Sequence, residues 1–432
     1  MPALVTGNNR IFALRQIVEA ITEPAYSNIY LFIGKPSPWT NDTIPPVCYD
    51  SVYNHNYIWE SMMSLKKLSA SDMIQAIPRY QWTSNTVYDE YRHNYTSENL
   101  THSGVSSLFD AKFYVITDDY NVYKCIHNNY NQPSTEKPTS NSSTIFGTSD
   151  GYWWKYMYTI SPGNRTKFST PNFIPVEVNS TVVGDSIDGA IHHINVISGG
   201  SGYLTVPQVT ITGDGTGATA VATVVNGVVT KITMVSEGTG YRHATVTVEG
   251  SAIAEAIISP TGGHGYDVYR ELGAYTLLMN IRIEYTESNK AVVNNNYRTV
   301  GVIEDPISAD GVNRITATAA NAMPGITLSS STGTFGIGEL IYGQTSGAIA
   351  RVVSWDAITK KILFVQSETE NYKSFSIGES IIGNTSGAGG TVSSNDASDI
   401  TKYKGNILYF EQRSPIYRVG DQVDSITFII RF

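Results

Sequence analysis

The sequence predicts an all-β protein: a discontinuous β-sandwich scaffold with short helices, interrupted by two small inserted β modules. Three observations carry this. Only 16% of the 432 residues are charged, while Gly, Ser, Thr, Asn and 28 Tyr are plentiful, a balance that suits pleated strands and tight turns better than long charged helices. Short apolar runs bounded by Gly, Pro, Asn or Asp recur, as at Ile29–Ile33 and Tyr152–Tyr158, which is how strands punctuate a sequence. Two stretches also change to a Gly- and Thr-rich texture with internal repeats, the mark of modules set into a host fold. The length calls for more than one core. The expected division is an N-terminal helix or arm over 1–28, scaffold over 29–190, a glycine-rich module over 191–262, scaffold over 263–308, a second module over 309–402, and closing scaffold strands over 403–432.

Residues Ile11, Leu14, Ile17, Val18 and Ile21 recur at helical spacing before Pro24, so a short amphipathic helix is expected there, docked on its own domain or reaching a neighbour. Ile29–Ile33 reads as a buried strand that stops at Gly34 before the Pro36-Ser37-Pro38-Trp39 corner. The organising stretch runs from Trp59 to Trp82. It strings Ile58, Trp59, Met62, Met63, Leu65, Leu68, Met73, Ile74 and Ile77 past two candidate helix starts and ends at Pro78, whose ring cannot sit inside a helix.

Strands over Lys112–Ile116 and Val122–Ile126 flank Thr117–Asn121, a hairpin turn by its Asp and Asn content. The polar loop 128–148 is expected to be mobile or to wrap a partner. Beyond it, alternation puts Tyr152, Trp154, Tyr156 and Tyr158 on one strand face, a stripe that reads as core before it reads as a binding platform. In the first module Gly200-Ser201-Gly202-Tyr203 returns as Gly238-Thr239-Gly240-Tyr241, and more loosely as Gly263-His264-Gly265-Tyr266. In the second, Phe335–Glu339 with Gly343–Ala348 returns forty residues later as Phe375–Glu379 with Gly383–Ala388; two such units can cover each other's apolar face. Strands are expected at Tyr275–Tyr285, Tyr297–Ile303, Ile407–Phe410 and Ser425–Phe432, with a turn at Glu411–Pro415.

A net charge of −9 and a pI near 5.4 exclude a chain-wide positive field of the kind nucleic acid or anionic lipid needs. No nucleic-acid partner and no membrane insertion are expected. Cys48 and Cys125 make neither a disulfide framework nor a metal spacing. Without a charged-then-apolar leader or an apolar run of about 20 residues, the expectation is a soluble chain made in a cytoplasm. No cofactor or metal is expected. Gly262–Asp267 fits a calcium repeat of β-helices, but that chemistry needs stacked copies and only this one has the Asp. His192 and His193 are adjacent, so a strand sends them to opposite faces. The acidic residues Asp118, Asp119, Glu304 and Asp305 lie in turns, where they serve the backbone. No catalytic constellation emerges, and the protein is read as a non-enzyme.

Several of these landmarks together resemble one family. The Trp59-x-x-Met62-Met63 run leading into Ile77-Pro78-Arg79-x-x-Trp82 is similar to a segment of the gene eight baseplate wedge protein of T-even contractile-tailed phages. The Tyr30–Trp39 strand and corner, the Val122–Cys125 strand, the Asp150-Gly151-Tyr152-x-Trp154-x-Tyr156 strand, the turn at Pro415 and the closing strand have similar counterparts there, in the same order. Gln412 departs from that family's Asn. The resemblance covers about 29–178, 272–306 and 403–432, and both glycine-rich modules lie outside it. It implies a structural subunit of the virion tail baseplate, pairing with a second copy and contacting other wedge proteins as the baseplate rearranges to trigger sheath contraction. It carries over no catalytic residue. Trp39, Trp59, Pro78, Arg79, Trp82, Tyr152, Trp154 and Pro415 are expected as core or interface anchors. The alternative is a carbohydrate-binding or adhesive tail protein that presents Tyr203, Tyr241, Tyr342 or Trp355 to glycans.

Overall fold

The computed structural model describes residues 5–23 and 28–431; Pro24 and Phe432 lie outside them. In chain order the elements are α1 (Gly7–Thr22), β1 (Ile29–Gly34), α2 (Val52–Ser61), β2 (Met62–Lys67), β3 (Met73–Pro78), β4 (Tyr114–Ile116), β5 (Asn121–Asn128), β6 (Phe146–Gly147), β7 (Tyr152–Thr159), α3 (Pro162–Phe168), β8 (Phe173–Pro175) and α4 (Ser180–Gly184). The first glycine-rich stretch supplies β9 (Ile191–Ser198), β10 (Val209–Gly213), β11 (Thr216–Val225), β12 (Val228–Thr239), β13 (Ala244–Val248) and β14 (Ile253–Ile258). Then come α5 (Val268–Glu271), β15 (Thr276–Ile283), β16 (Asn295–Glu304) and β17 (Ala319–Asn321). The second stretch gives β18 (Gly325–Thr332), β19 (Leu340–Gly343), β20 (Ile349–Asp356), β21 (Lys361–Val365), β22 (Ser380–Gly383) and β23 (Gly389–Asp396), before β24 (Asn406–Arg418) and β25 (Asp424–Arg431). The protein is all-β, as the composition predicts, with short helices as accessories. It divides into two compact units, one built mainly from Ile74–Leu278 and the other from Arg15–Met73 with Met279–Phe428.

In the second of these units a five-stranded sheet runs β17-β2-β1-β16-β24. Ser51 caps α2 by accepting from Asn54 N, and the helix delivers Ile58 and Trp59 into the core formed by Tyr30, Phe32, Met62, Leu65 and Ile303. Of the two candidate helix starts in the Trp59–Trp82 stretch, nothing beyond a single 3-10 turn at Ala70–Asp72 forms after Met62, because β2 lies between two partners: Leu65 sits opposite Phe32 on one side and Ala320 on the other. Two ladders of backbone hydrogen bonds outweigh local helical spacing. The turn expected at Glu411–Pro415 is also corrected. β24 runs straight through it, and its pairing jumps from Ile416 opposite Tyr297 to Gln412 opposite Thr299. The extra residues bulge from an edge strand, where a proline costs no ladder hydrogen bond.

The second glycine-rich stretch closes into a six-stranded barrel, β18-β21-β20-β19-β22-β23, around Ile326, Phe335, Ile341, Val352, Ile362, Phe375 and Ile381. Its forty-residue duplication has a polar reason as well as an apolar one. The carboxylate of Glu339 accepts from Thr385 N, Ser386 N and Ser386 Oγ at 3.2, 2.9 and 2.8 Å. Glu379 returns the contact to Thr345 N, Ser346 N and Ser346 Oγ at 2.9, 2.9 and 2.7 Å. Each repeat thus caps the turn of the other. A Cβ on Gly343 or Gly383 would stand 2.7 or 2.8 Å from the incoming carboxylate oxygen, which explains why both repeats carry glycine there.

In the first unit the sheet β4-β5-β7-β6 is covered on both faces. Val115, Tyr123, Cys125, Tyr152, Trp154 and Tyr156 form one cluster, and Ile116, Val122, Met157 and Tyr158 belong to another. Tyr158 therefore leaves the predicted stripe. A register shift sets Tyr158 opposite Val122 but Tyr156 opposite Tyr123, so a bulge at Met157 turns the chain over. The loop 128–148, expected to be mobile or wrapped on a partner, is instead laced to its own sheet: Asp150 Oδ2 accepts from Ser134 Oγ, Thr135 N and Glu136 N at 3.0, 2.8 and 3.0 Å.

The first glycine-rich stretch forms a six-stranded sheet in the order β10-β13-β14-β9-β12-β11. Gly200 and Gly202, and again Gly238 and Gly240, take positive φ, which lets the chain turn tightly ahead of a tyrosine. Tyr203 Oη accepts from Ser251 N and Ala252 N at 2.9 and 2.7 Å, while Tyr241 is buried in the module core. The looser copy at Gly263–Tyr266 lies beyond β14 and leads into α5.

Candidate functional site

The predicted anchors fall into two groups, one in each unit. In the Arg15–Met73 and Met279–Phe428 unit, Trp39 is half-buried at the corner after β1. Its Nε1 donates to the carbonyl of Arg413 at 2.9 Å, and the Lys35 ammonium lies 4.9 Å from its ring centroid. Burial lowers the Lys35 pKa to about 8, since desolvation disfavours the charged form. Beneath the corner, Arg298 donates from Nε and Nη2 to Asp42 at 2.8 and 2.7 Å and from Nη1 to the Pro36 carbonyl at 2.7 Å. The guanidinium holds the Asp42 carboxyl down at about 2. Pro415 is exposed on the β24 bulge, two residues from the carbonyl that Trp39 holds. Trp59, only 4% exposed, is a core residue.

In the Ile74–Leu278 unit the remaining five anchors make one continuous frame. Pro78 ends β3 opposite Phe173, and its carbonyl accepts from Tyr114 Oη at 2.8 Å. Arg79 N donates to Asn172 O at 2.8 Å, and its guanidinium to Gln81 Oε1 at 3.1 Å. Trp82 donates from its backbone to Ile116 O at 2.9 Å and from Nε1 to Ser134 Oγ at 3.2 Å. Its ring packs on the cluster where Tyr152 and Trp154 stack, 5.4 Å apart and 18° from parallel. Pro78 and Arg79 thus secure the β3–β8 strand pair, Trp82, Tyr152 and Trp154 belong with the sheet β4-β5-β7-β6, and the Tyr114 hydroxyl and Trp82 backbone bonds link the two.

Sequence reasoning missed a buried seam of charge between this aromatic sheet and the six-stranded module. Lys124 on β5 is fully buried. Its Nζ donates to Glu271 Oε2 at 2.8 Å, lies 2.9 Å from His264 Nδ1, and sits 4.0 Å from the Tyr91 ring centroid. The other oxygen of Glu271 accepts from Gly265 N at 2.7 Å. Nearby, Glu90 takes His127 Nδ1 at 2.9 Å and Asn128 N at 3.1 Å and pairs with Arg92 at 2.6 Å. Burial pushes Glu90 up, but those partners outweigh it and hold its pKa at about 2. His192 and His193 do part to opposite sides of β9: His192 lies 4.9 Å from His264 and meets Glu237 at 2.9 Å, whereas His193 stacks on His127 at 4.2 Å. The hint available in the sequence was the Gly262–Asp267 motif, whose histidine is a seam residue. Its Asp267 caps α5 by accepting from Arg270 N.

The other candidate groups are spent on structure. Asp118 and Asp119 are bridged by Lys137, and Asp305 accepts from Asn28 N at 2.7 Å and pairs with Arg314. Tyr241 is buried, Tyr203 is held by two backbone amides, and Trp355 packs edge-on against Phe335 at 5.1 Å, so these rings do not stand free as platforms for sugars. Among the described residues no helix is long and apolar enough to cross a membrane.

In both units these polar groups hold the fold's own geometry. Residues 3–138 match a family model, Phage-Gp8, described as Bacteriophage T4, Gp8, which supports a phage baseplate structural protein. The gene eight resemblance read from the sequence stands on that segment, which includes Trp39, Trp59, Pro78, Arg79 and Trp82. No curated protein matches the chain.

Proposed function

We propose that this chain is a wedge subunit of a contractile-tail baseplate in the virion, assembled in the host cytoplasm, where it pairs with a second copy and meets the other wedge proteins. Its part in triggering sheath contraction is geometric: interfaces rearrange and no bond is made or broken. The family match over residues 3–138 carries this reading. Within that segment Ile44, Val47, Tyr49, Val52 and Tyr53 are each at least 60% exposed. Apolar side chains held in water this way mark surfaces that a protein partner covers. The two glycine-rich modules bury their own apolar faces, and we take them as peripheral additions that the shared assembly surfaces do not need.

Co-expression of the tagged chain with the other wedge proteins tests the reading. Co-purification of a stable complex is expected, with loss of that complex in a Val47→Asp/Tyr53→Asp variant that keeps the far-ultraviolet circular dichroism of the parent. A chain that stays alone beside its partners, yet binds host envelope unaided, would overturn the assembly role in favour of an adhesive one.

A further inference from the structure

Five of the chain's eight histidines, His93, His127, His192, His193 and His264, lie along the seam where the six-stranded module meets the aromatic sheet. From Met279 to the C-terminus the chain has none. We infer that this seam is a pH-sensitive latch: with His193 and His264 uncharged the module is seated, and at mildly acidic pH, where these two imidazoles take up protons once the seam opens, the module loosens from the sheet.

The geometry around two of them sets the direction. His193 on β9 is 4% exposed and faces His127 of β5 in a stack, Trp153 of β7 edge-on at 5.9 Å, and the Glu90–Arg92 pair. Lys231 of β12, whose ammonium lies over Trp153 at 5.6 Å, completes the surroundings. One carboxylate in that set is already shared by His127 and Arg92, so a proton on His193 would meet more positive charge than negative. His264 is 3% exposed and faces Lys124 of β5 at 2.9 Å, Glu271 of α5 at 3.8 Å, the Tyr91 ring at 4.8 Å and His192 of β9 at 4.9 Å, with Lys155 of β7 behind. Glu271 is committed to Lys124 and Gly265 N. His93 receives Ile258 N from β14 at 3.3 Å, with Glu255 of β14 and His243 facing it. His127 differs from these in having a carboxylate, Glu90, 2.9 Å from its Nδ1; release is therefore carried by His193 and His264.

Burial first, then neighbouring cations, brings His193 down to about 3 and His264 well below the usual imidazole range. A group whose folded pKa is depressed contributes stability that is complete above its unfolded value, about 6.5, and is lost as pH falls below it. The latch therefore weakens from about pH 6.5 downward, while carboxylate pairs such as Glu90 with Arg92 remain ionised.

The test is amide hydrogen exchange of the intact chain at pH 7.5 and 5.0, corrected for intrinsic exchange, with the histidine-free barrel as internal reference. Protection in β9 and β14 is expected to fall relative to β20 and β21 by on the order of thirtyfold per buried neutral histidine exposed by opening. A His193→Gln/His264→Gln variant is expected to lose that selective response. Equal changes in seam and barrel, or the same selective fall in the variant, would overturn the latch. Should the double variant not fold, His193→Gln alone must shrink the response, and histidine-labelled magnetic resonance of the parent must show two imidazoles still neutral at pH 5; two ordinary titrations near 6.5 would refute it.

Discussion

The reciprocal carboxylates of the barrel make a sharp prediction. Replacing Glu339 by alanine removes the acceptor for Thr385 N, Ser386 N and Ser386 Oγ, which belong to the other repeat, and for Gly336 N in its own. Hydrogen bonds to a charged acceptor contribute roughly 1.5–3 kcal/mol each but do not add. Thr385 and Ser386 lie on an exposed turn, so water takes over part of the loss, and a net cost of about 2–4 kcal/mol follows for a side chain that is itself 6% exposed. In a module of this size that lowers the barrel's Tm by about 10–20 °C. Differential scanning calorimetry and hydrogen exchange on the intact chain measure both effects. The diagnostic result is spatial: Glu339→Ala should deprotect Thr385 and Ser386, and Glu379→Ala should deprotect Thr345 and Ser346. Deprotection confined to the mutated repeat would refute the exchange of caps between repeats, whatever the Tm.

The same two carboxylates make the barrel acid-sensitive in a lower window than the histidine seam. Backbone and serine donors outweigh burial and hold both pKa values below the usual glutamate value of 4.5, so their contribution is complete above about pH 4.5 and is lost as pH falls further; urea midpoints at pH 5 and 3.5 check it. Lys124→Met should cost about 3–5 kcal/mol by leaving Glu271 buried without a cation, and adding Glu271→Gln should recover part of that in a chemical-denaturation cycle. Trp59→Ala and Trp154→Ala should each cost about 3–5 kcal/mol; normal expression and wedge assembly of both would mean neither anchors a core. Deleting 191–262 and 325–396 together, with short linkers that leave β17 in the scaffold sheet, should leave a folded chain that still co-purifies with wedge partners, and failure of the folded variant to assemble would put the modules inside the interface.

Composition and local pattern determined the class of fold and much of its detail. Tyr152, Trp154 and Tyr156 share a face because alternation along a strand is fixed by the pleat, and His192 and His193 part for the same reason. The forty-residue repeat announced paired units because a small module buries its apolar face only against its like. What pattern could not decide was everything set by partners distant in sequence. Met62–Lys67 is a strand because β1 and β17 offer it two ladders, not because of its own residues. Pro415 sits in a bulged edge strand because β16 pairs with β24 on both sides of it and Trp39 holds the neighbouring Arg413 carbonyl. The seam was invisible because Lys124, Glu271, His193 and His264 carry no mutual spacing in sequence. Only tertiary burial, by removing water and leaving a few fixed neighbours, turns such scattered ionisable groups into a coupled set.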